Sequence, residues 1–193
     1  MATESRGDRP WHRGLTRRSI AEAALEGGLE QLTLATVAER LEVSHAALYR
    51  HFTNRDDLVL AVMDLIAEQV EWPAPTDDWT HYLRRLGEQL VTSFVEHPAL
   101  VAEARRLGPP PTIVAKIDQS FVALCEAGLG EEDAALALTL LSALVDWAAV
   151  SAPLSSPPIL EHVRSDGPPQ PVAFDAQLDV LIAGLRVRIE RSE

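Results

Sequence analysis

The chain has 193 residues, 47% hydrophobic and 24% charged, with a formal net charge of -12. That length and apolar content are enough to bury a real core in one or two domains, which excludes disorder throughout. A single cysteine, Cys125, excludes an internal disulfide framework and a cysteine-based zinc site, and suits a reducing cytoplasm.

The initial residues, MATESRGDRPWHRG, are polar and carry no apolar secretion segment, so no export is expected and the location read from them is cytoplasmic. Residues 1–14 read as a flexible basic arm. Arg6, Arg9 and Arg13, with Arg17 and Arg18 just beyond, stand against Glu4 and Asp8 and can approach phosphates or the minor groove; incidental arginines on a disordered arm are the competing reading. Ile20, Ala24 and Leu25 then form the inward stripe of a first helix, closed by Gly27-Gly28. Leu34, Val37, Ala38 and Leu41 recur at i, i+3, i+4 and i+7, which predicts a second helix over Thr33–Leu41 with Thr33 as its cap. After Glu42 and Val43, Ser44 caps a third helix, His45–His51. Leu48 points inward there, and His45, Ala46, Tyr49 and Arg50 lie towards solvent. Asn54 caps a fourth helix that runs to Glu71, with Asp56 and Asp57 in the first turn, where carboxylates favour the helix dipole. Phe52 and Leu58 pack the trio together, since helices this short hold only by burying their stripes against one another.

The run AAL-Y-R-H-F-x-N-R-D-D-L, following L-T-x-x-x-V-A-x-x-L-x-V-S, resembles the DNA-binding head of the tetracycline-repressor (TetR) family of bacterial transcription regulators over about residues 13–70. The resemblance implies an all-α dimer. Its second and third helices would form a helix-turn-helix, and a larger C-terminal domain would bind a small effector that releases DNA. One position departs: the turn residue that is usually glycine in the family is Glu42 here. A left-handed backbone at Glu42 costs about 1–2 kcal/mol and leaves the docking angle of the third helix open.

Trp72-Pro73-Ala74-Pro75 stops the fourth helix and marks the domain junction, after which Thr76 to Asp78 offer caps for a fifth helix reaching about His97. Pro98 starts a short helix to Leu107, Gly108-Pro109-Pro110-Pro111 breaks the chain, and a seventh helix spans about Thr112–Ala127. Past Gly128-Leu129-Gly130, an eighth helix covers 131–150, in which only Thr139, Ser142 and Asp146 are polar from Ala134 onwards. A helix apolar nearly all round must be covered on both sides. It is shorter than the roughly 20 residues of a membrane span and contains Asp146, so no membrane is expected. One face closes the domain core and the other meets a partner, joined by a last helix over 174–190 with Leu178, Leu181, Ile182, Leu185 and Ile189 at helical spacing. Two helices from each chain make a four-helix homodimer interface, which agrees with the family's usual arrangement. Ser151 to Val172, rich in Pro, Ser and Gly, reads as a loop.

The fold expected is thus all-α, with a helix-turn-helix domain over 15–71 (motif 33–52) and an effector-binding and dimerisation domain over 72–193. The acid is unevenly shared. Residues 1–60 carry eight arginines against nine acidic residues, whereas 61–193 carry nine basic against twenty acidic. An acidic body suppresses indiscriminate sticking to nucleic acid, so specific affinity should depend strongly on salt. Thr33, Ser44, Tyr49 and Arg55 suit phosphate contacts that set register; His45, Ala46 and Arg50 suit base edges, and His51 suits either or packing. The competing roles are caps for Thr33 and Ser44 and a brace for Tyr49. By family analogy an effector cavity lies among helices five to eight. Trp79, Tyr82, Phe94, Phe121 and Trp147 offer aromatic surface, with Asp146, His97, Arg105 and Cys125 as polar partners, and the ligand expected is apolar or aromatic. For Asp146 a hydrogen bond across the dimer competes.

The function read from these residues is a DNA-binding transcriptional regulator, foremost a repressor that grips a palindromic operator as a dimer, its half-sites about 34–36 Å apart or multiples of this, and lets go when a small molecule binds. Control by a protein partner, or a helical interaction module that binds no DNA, are the alternatives. No phosphate-binding glycine loop, nucleophile elbow or HExxH pair occurs, and six histidines form no ligand spacing, so neither an enzyme, a metal nor a cofactor is expected.

Overall fold

A computed structural model describes residues 14–29, 32–95, 97–151 and 174–191. The expected arm over 1–14, apart from Gly14, and the expected loop after Ser151 lie outside the described residues. Nine helices and no strand occur among those described: α1 Arg17–Glu26, α2 Leu34–Arg40, α3 His45–Leu48, α4 Arg55–Gln69, α5 Trp79–Val95, α6 Pro98–Leu107, α7 Pro111–Glu126, α8 Glu131–Ser151 and α9 Phe174–Glu190. The chain is therefore all-α. By contact it divides into two compact parts. One comprises the residues up to Gln69 together with Ala102–Ile113, the other Val70–Val101 and everything from Val114.

In the first part α1 to α4 each begin on a side-chain cap. Thr16 and Ser19 form a reciprocal capping box ahead of α1, the Ser19 N–H donating to Thr16 Oγ1 and the Thr16 N–H to Ser19 Oγ, both at 3.0 Å. Thr33 and Thr36 repeat the arrangement at α2. Ser44 Oγ accepts from the Ala47 N–H at 3.3 Å, and Asn54 Oδ1 accepts from the Asp57 N–H at 2.9 Å. Such caps satisfy N–H groups that no helical carbonyl reaches. Only Gly28 of the Gly27-Gly28 pair takes positive φ, at 78°, and turns the chain after α1. α1 packs on α4, and Ile20, Leu48, Phe52, Leu58 and Val62 are all buried to within 1% of completely.

The sequence places the domain junction near residue 71, with all that follows in the second domain. By contact, 102–113 joins the first part instead, because Glu103 pairs with Arg55 at 2.5 Å and Arg106 pairs with Asp56.

The second part is organised around Tyr82, Leu83, Leu86, Leu124, Ala134, Ala137, Leu141, Val145, Leu178, Ile182 and Leu185. α5 is positioned by Asp78, whose Oδ1 accepts from the Thr80 N–H at 2.8 Å and the His81 N–H at 3.3 Å. Gly87 lets three helices meet: a Cβ there would lie 3.0 Å from Leu141 Cδ1 on α8 and 3.1 Å from Leu178 Cδ2 on α9. One face of α8, carrying Ala134, Ala137, Leu141, Val145 and Ala149, closes this core. Its other face is uncovered in the single chain, with Leu140 and Trp147 just over 40% exposed. No described helix is long and apolar enough to cross a membrane.

Candidate nucleic-acid interface

α2, a tight turn and α3 present a short helix outward from a buried base. The turn follows from hydrogen bonding at the end of α2. Leu41 is the C-cap, the Glu42 N–H donates to the Glu39 carbonyl at 3.1 Å, and the Val43 N–H reaches the Ala38 carbonyl at 3.0 Å. This pairing satisfies the last carbonyls of α2 and requires a left-handed residue just after the cap. That residue is Glu42, with φ of 55°, the only non-glycine at positive φ among the described residues. The turn keeps the geometry a glycine would give it, and the strain of a side chain there is borne by the packing around it.

α3 differs from its predicted extent. Regular helix stops at Leu48, and residues 49–51 continue as turn, because the Leu48 carbonyl accepts from both the His51 N–H at 2.9 Å and the Phe52 N–H at 3.0 Å. The doubled bond tightens the last turn and drives Phe52 into the core. The outward face is otherwise as read from the sequence. His45, Ala46, Tyr49 and Arg50 are exposed, Tyr49 to 53%, and Leu48 is fully buried. The His45 and Tyr49 rings stand edge to face, centroids 5.1 Å apart, so Tyr49 is braced by its own helix while its ring remains accessible. His51 is half-buried. Thr33 and Ser44 are exposed and both act as caps, the role set beside the phosphate one.

Arg55 is placed differently from the phosphate-contacting expectation. Its Nε donates to the Leu32 carbonyl at 3.0 Å and its Nη2 to Glu103 Oε1 at 2.5 Å, so the guanidinium braces the approach to α2 from the start of α4. The carboxylate it meets lies 48 residues away, and no local pattern announces such a pair. Arg17 and Arg18, read with the basic arm, belong to α1 and are likewise engaged. Arg17 bonds Asp57 and the His51 carbonyl, and Arg18 bonds Glu22 and Glu68. Arg6, Arg9 and Arg13 lie outside the described residues. Hydrogen bonds from Arg17, together with the Thr53 N–H, hold the Asp57 carboxyl below the usual carboxylate range; Arg106 does the same to Asp56, and Arg55 with Arg106 to Glu103.

A cavity of about 540 Å³ opens in the second part, between the Trp72-Pro73-Ala74-Pro75 segment, Tyr82 of α5 and one face of α7 carrying Lys116, Gln119, Ser120 and Ala123. Its volume is that of a small-molecule site. The buried Tyr82 hydroxyl lies 3.1 Å from Ser120 Oγ, and Lys116 Nζ stands 6.0 Å from the Trp72 ring centroid. Of the nine residues named for a pocket, only Tyr82 lines this one. Trp79, Phe94, Phe121 and Cys125 pack against the apolar core instead, Asp146 is half-buried on α8, and Trp147 is exposed. Of their proposed polar partners, His97 is half-buried and Arg105 belongs to the first part. The reason is common to the four aromatic and thiol positions: they fall on the apolar stripes of α5 and α7, where large side chains fill core volume. Burial, and then the Glu131 carboxylate, push the Cys125 thiol up, away from thiolate chemistry. The Trp-Pro-Ala-Pro segment was legible only as a helix stop, and α7's polar lining carried no signal of its own. The described residues hold no cluster of His, Cys, Asp and Glu able to bind a metal.

Known proteins share this architecture. Residues 15–62 match the family described as bacterial regulatory proteins, tetR family. A transcriptional regulator of the helix-turn-helix type from Saccharopolyspora erythraea is 29% identical over 126 residues, 62% of this chain and 53% of that protein. The class C tetracycline repressor protein from Escherichia coli is 30% identical over 142 residues, 66% of this chain and 62% of that protein. The chain thus spans between half and two thirds of the length of these relatives. The crystal structure of the Streptomyces coelicolor TetR family protein ActR in complex with (S)-DNPA is 28% identical with a TM-score of 0.72, covering 89% of this chain and 97% of that one. The family match begins just before the Thr16 cap and ends within α4, so residues 15–62 form a head of the kind found in the tetR family of bacterial regulatory proteins, and the helical layout over 89% of the chain is similar to that of the ActR structure.

Proposed function

We propose that the protein is a DNA-binding transcriptional regulator, a repressor that binds a palindromic operator as a homodimer and is released by a small molecule. The observation that carries the reading is α3, where buried Ala47 and Leu48 anchor a capped helix that presents His45, Ala46, Tyr49 and Arg50 to solvent. Tyr49 supplies a hydroxyl for phosphate; Arg50 supplies a fork for guanine, and Ala46 a methyl for thymine. Thr33 and Ser44 combine capping with an exposed hydroxyl, and Arg55 serves the interface by bracing it. The net acidity of the rest of the chain restricts binding to sites that these contacts recognise.

Two features of the second part support the remaining roles. Leu140 and Trp147 on α8, with Val180 and Val187 on α9, expose apolar surface on the two helices that a four-helix dimer would pair. The cavity beside Tyr82 and Trp72 provides an effector site of mixed character, aromatic walls with Lys116, Asp118, Gln119, Ser120 and Glu126 as polar groups. An effector acts by binding the DNA-incompetent arrangement more tightly than the competent one. The site of action is the cytoplasm, where the DNA is.

Selection of tight binders from a random duplex pool tests the reading. A palindromic consensus bound with a steep salt dependence supports it, and retention of no sequence sinks it. On the selected operator, Tyr49→Ala is expected to weaken binding of all sequences alike. Arg50→Ala should flatten the preference at one position by about 1–3 kcal/mol. Unchanged binding by both variants would remove α3 as the reading element.

A further inference from the structure

The Arg17 guanidinium joins three parts of the head that are far apart in sequence. Nη1 donates to the His51 carbonyl, the last residue of the turn that continues α3. Nη2 donates to Asp57 Oδ1 at 2.6 Å and Nη1 to Asp57 Oδ2 at 3.3 Å, in the first turn of α4. The guanidinium carbon lies 4.2 Å from the ring centroid of Phe52, which is itself 1% exposed. Asp57 is fixed in turn, accepting from the Thr53 N–H at 3.0 Å and from Thr53 Oγ1 at 3.3 Å.

α3 has only four residues of regular helix, and a helix that short does not persist without outside support. Its capped end is held by Ser44. Its other end leaves carbonyls directed away from the ladder, where a cation is favoured. Arg17 occupies that end. The planar fork suits the task, since it can grip a carboxylate with two bonds, donate to a carbonyl and lie flat on an aromatic face at once, which a lysine cannot.

We propose that Arg17 is a positioning residue for DNA recognition: it clamps the end of α3 to Asp57 and Phe52, and so sets the angle at which Tyr49 and Arg50 are presented, without itself binding phosphate. The proposal rests on the DNA-binding reading above and is tested in the full chain by two independent measurements. One is affinity for the operator selected with the wild-type protein, over a range of salt concentrations. The other is hydrogen exchange of the Tyr49, His51 and Phe52 amides in the free protein.

In Arg17→Gln and in Asp57→Asn, affinity is expected to fall at least tenfold, while the slope of log K against log salt stays at the wild-type value. Exchange at the three amides should rise at least tenfold while α1 and the centre of α4 keep their protection. Arg18→Gln, which releases only Glu22 and Glu68, should stay within twofold of wild type. Affinity of Arg17→Gln within twofold of wild type overturns the proposal, as does unchanged exchange. So does a salt slope reduced by about one, which marks a direct phosphate contact. If Arg17→Gln fails to fold, Arg17→Lys takes its place: a partial loss of affinity with raised exchange supports the clamp, and wild-type behaviour overturns it. A wild-type protein that binds no DNA would sink the regulator reading, and the exchange measurement would still decide the clamp.

Discussion

The two parts of the molecule both rest on a buried apolar core and differ in the polar bonds added to it. In the first, four helix starts are capped by Thr16, Thr33, Ser44 and Asn54, and the elements are tied by guanidinium groups: Arg17 to Asp57, Arg18 to Glu68, Arg55 to Glu103 and Arg106 to Asp56. In the second, apolar packing dominates. Gly87 admits Leu141 and Leu178, and ion pairs such as Arg84–Asp179 lie at the exposed margin. The short helical head buries an apolar core from Ile20 through Leu48, Phe52 and Leu58 to Ile66, and adds directional bonds that fix how its short helices are presented. The bundle of longer helices relies on its packed stripes, with fewer polar ties between elements.

Removing an anchor from the head should break it most severely. Leu48→Ala is expected to destabilise the first part by about 2–5 kcal/mol, because Leu48 is fully buried beneath the shortest helix. Denaturant unfolding followed through exchange at α1 and α4 measures this, and a loss under about 1 kcal/mol would show that the head does not depend on its small core.

A change on the outer face of α8 should behave in the opposite way. Trp147→Asp leaves the core of the second part intact, so the folded monomer should survive while the proposed dimer weakens by about 100-fold, or about 2.7 kcal/mol. Sedimentation equilibrium reads the change. An unaltered dimer would move the association surface elsewhere.

Glu42→Gly sharpens the contrast from the side of strain. Relief of a left-handed side chain, about 1–2 kcal/mol, is offset in part by the entropy of a new glycine, leaving a net gain of about 0.5–1 kcal/mol. The unfolding midpoint should rise, and a fall would mean that the Glu42 side chain makes a stabilising contact.

The smallest effect expected is electrostatic. Glu103 is held below the ordinary carboxylate range by Arg55 and Arg106, as Asp57 is by Arg17. A folded-state value below the unfolded one means that the stabilisation is complete above about pH 5 and is lost as pH falls through the unfolded value near 4.3 towards the folded one. The stability difference between wild type and Glu103→Gln should therefore be constant from pH 7 to about pH 5 and close as acid is added further. A difference that widens on acidification would contradict the pairing.

Much of the head was legible in the chain because its instructions are local. The stripe of Leu34, Val37, Ala38 and Leu41, the caps at Thr33, Ser44 and Asn54, and the outward set at His45, Ala46, Tyr49 and Arg50 each depend on residues within one or two turns of one another. The left-handed backbone at Glu42 was signalled by the family resemblance, since the turn residue that is usually glycine there is Glu42 in this chain. Helices α5 to α9 were legible for the same reason: Pro73, Pro75, Pro109 and Pro110 interrupt a helical period that otherwise continues.

The partners of the arginines were not legible. Arg17 and Arg55 sit in positions that favour phosphate on charge alone, yet the fold brings Asp57 and Glu103 to them from 40 and 48 residues away. The cavity was hidden for a related reason. An aromatic on a helical stripe has the same pattern whether it fills a core or lines a space, so Trp79, Phe94 and Phe121 could not be told from Tyr82. Periodicity, caps and breakers act through neighbours along the backbone and are written into the order of residues. Ion pairs and empty volume arise where distant surfaces meet, and only packing in three dimensions decides which charges are matched and which side chains leave room.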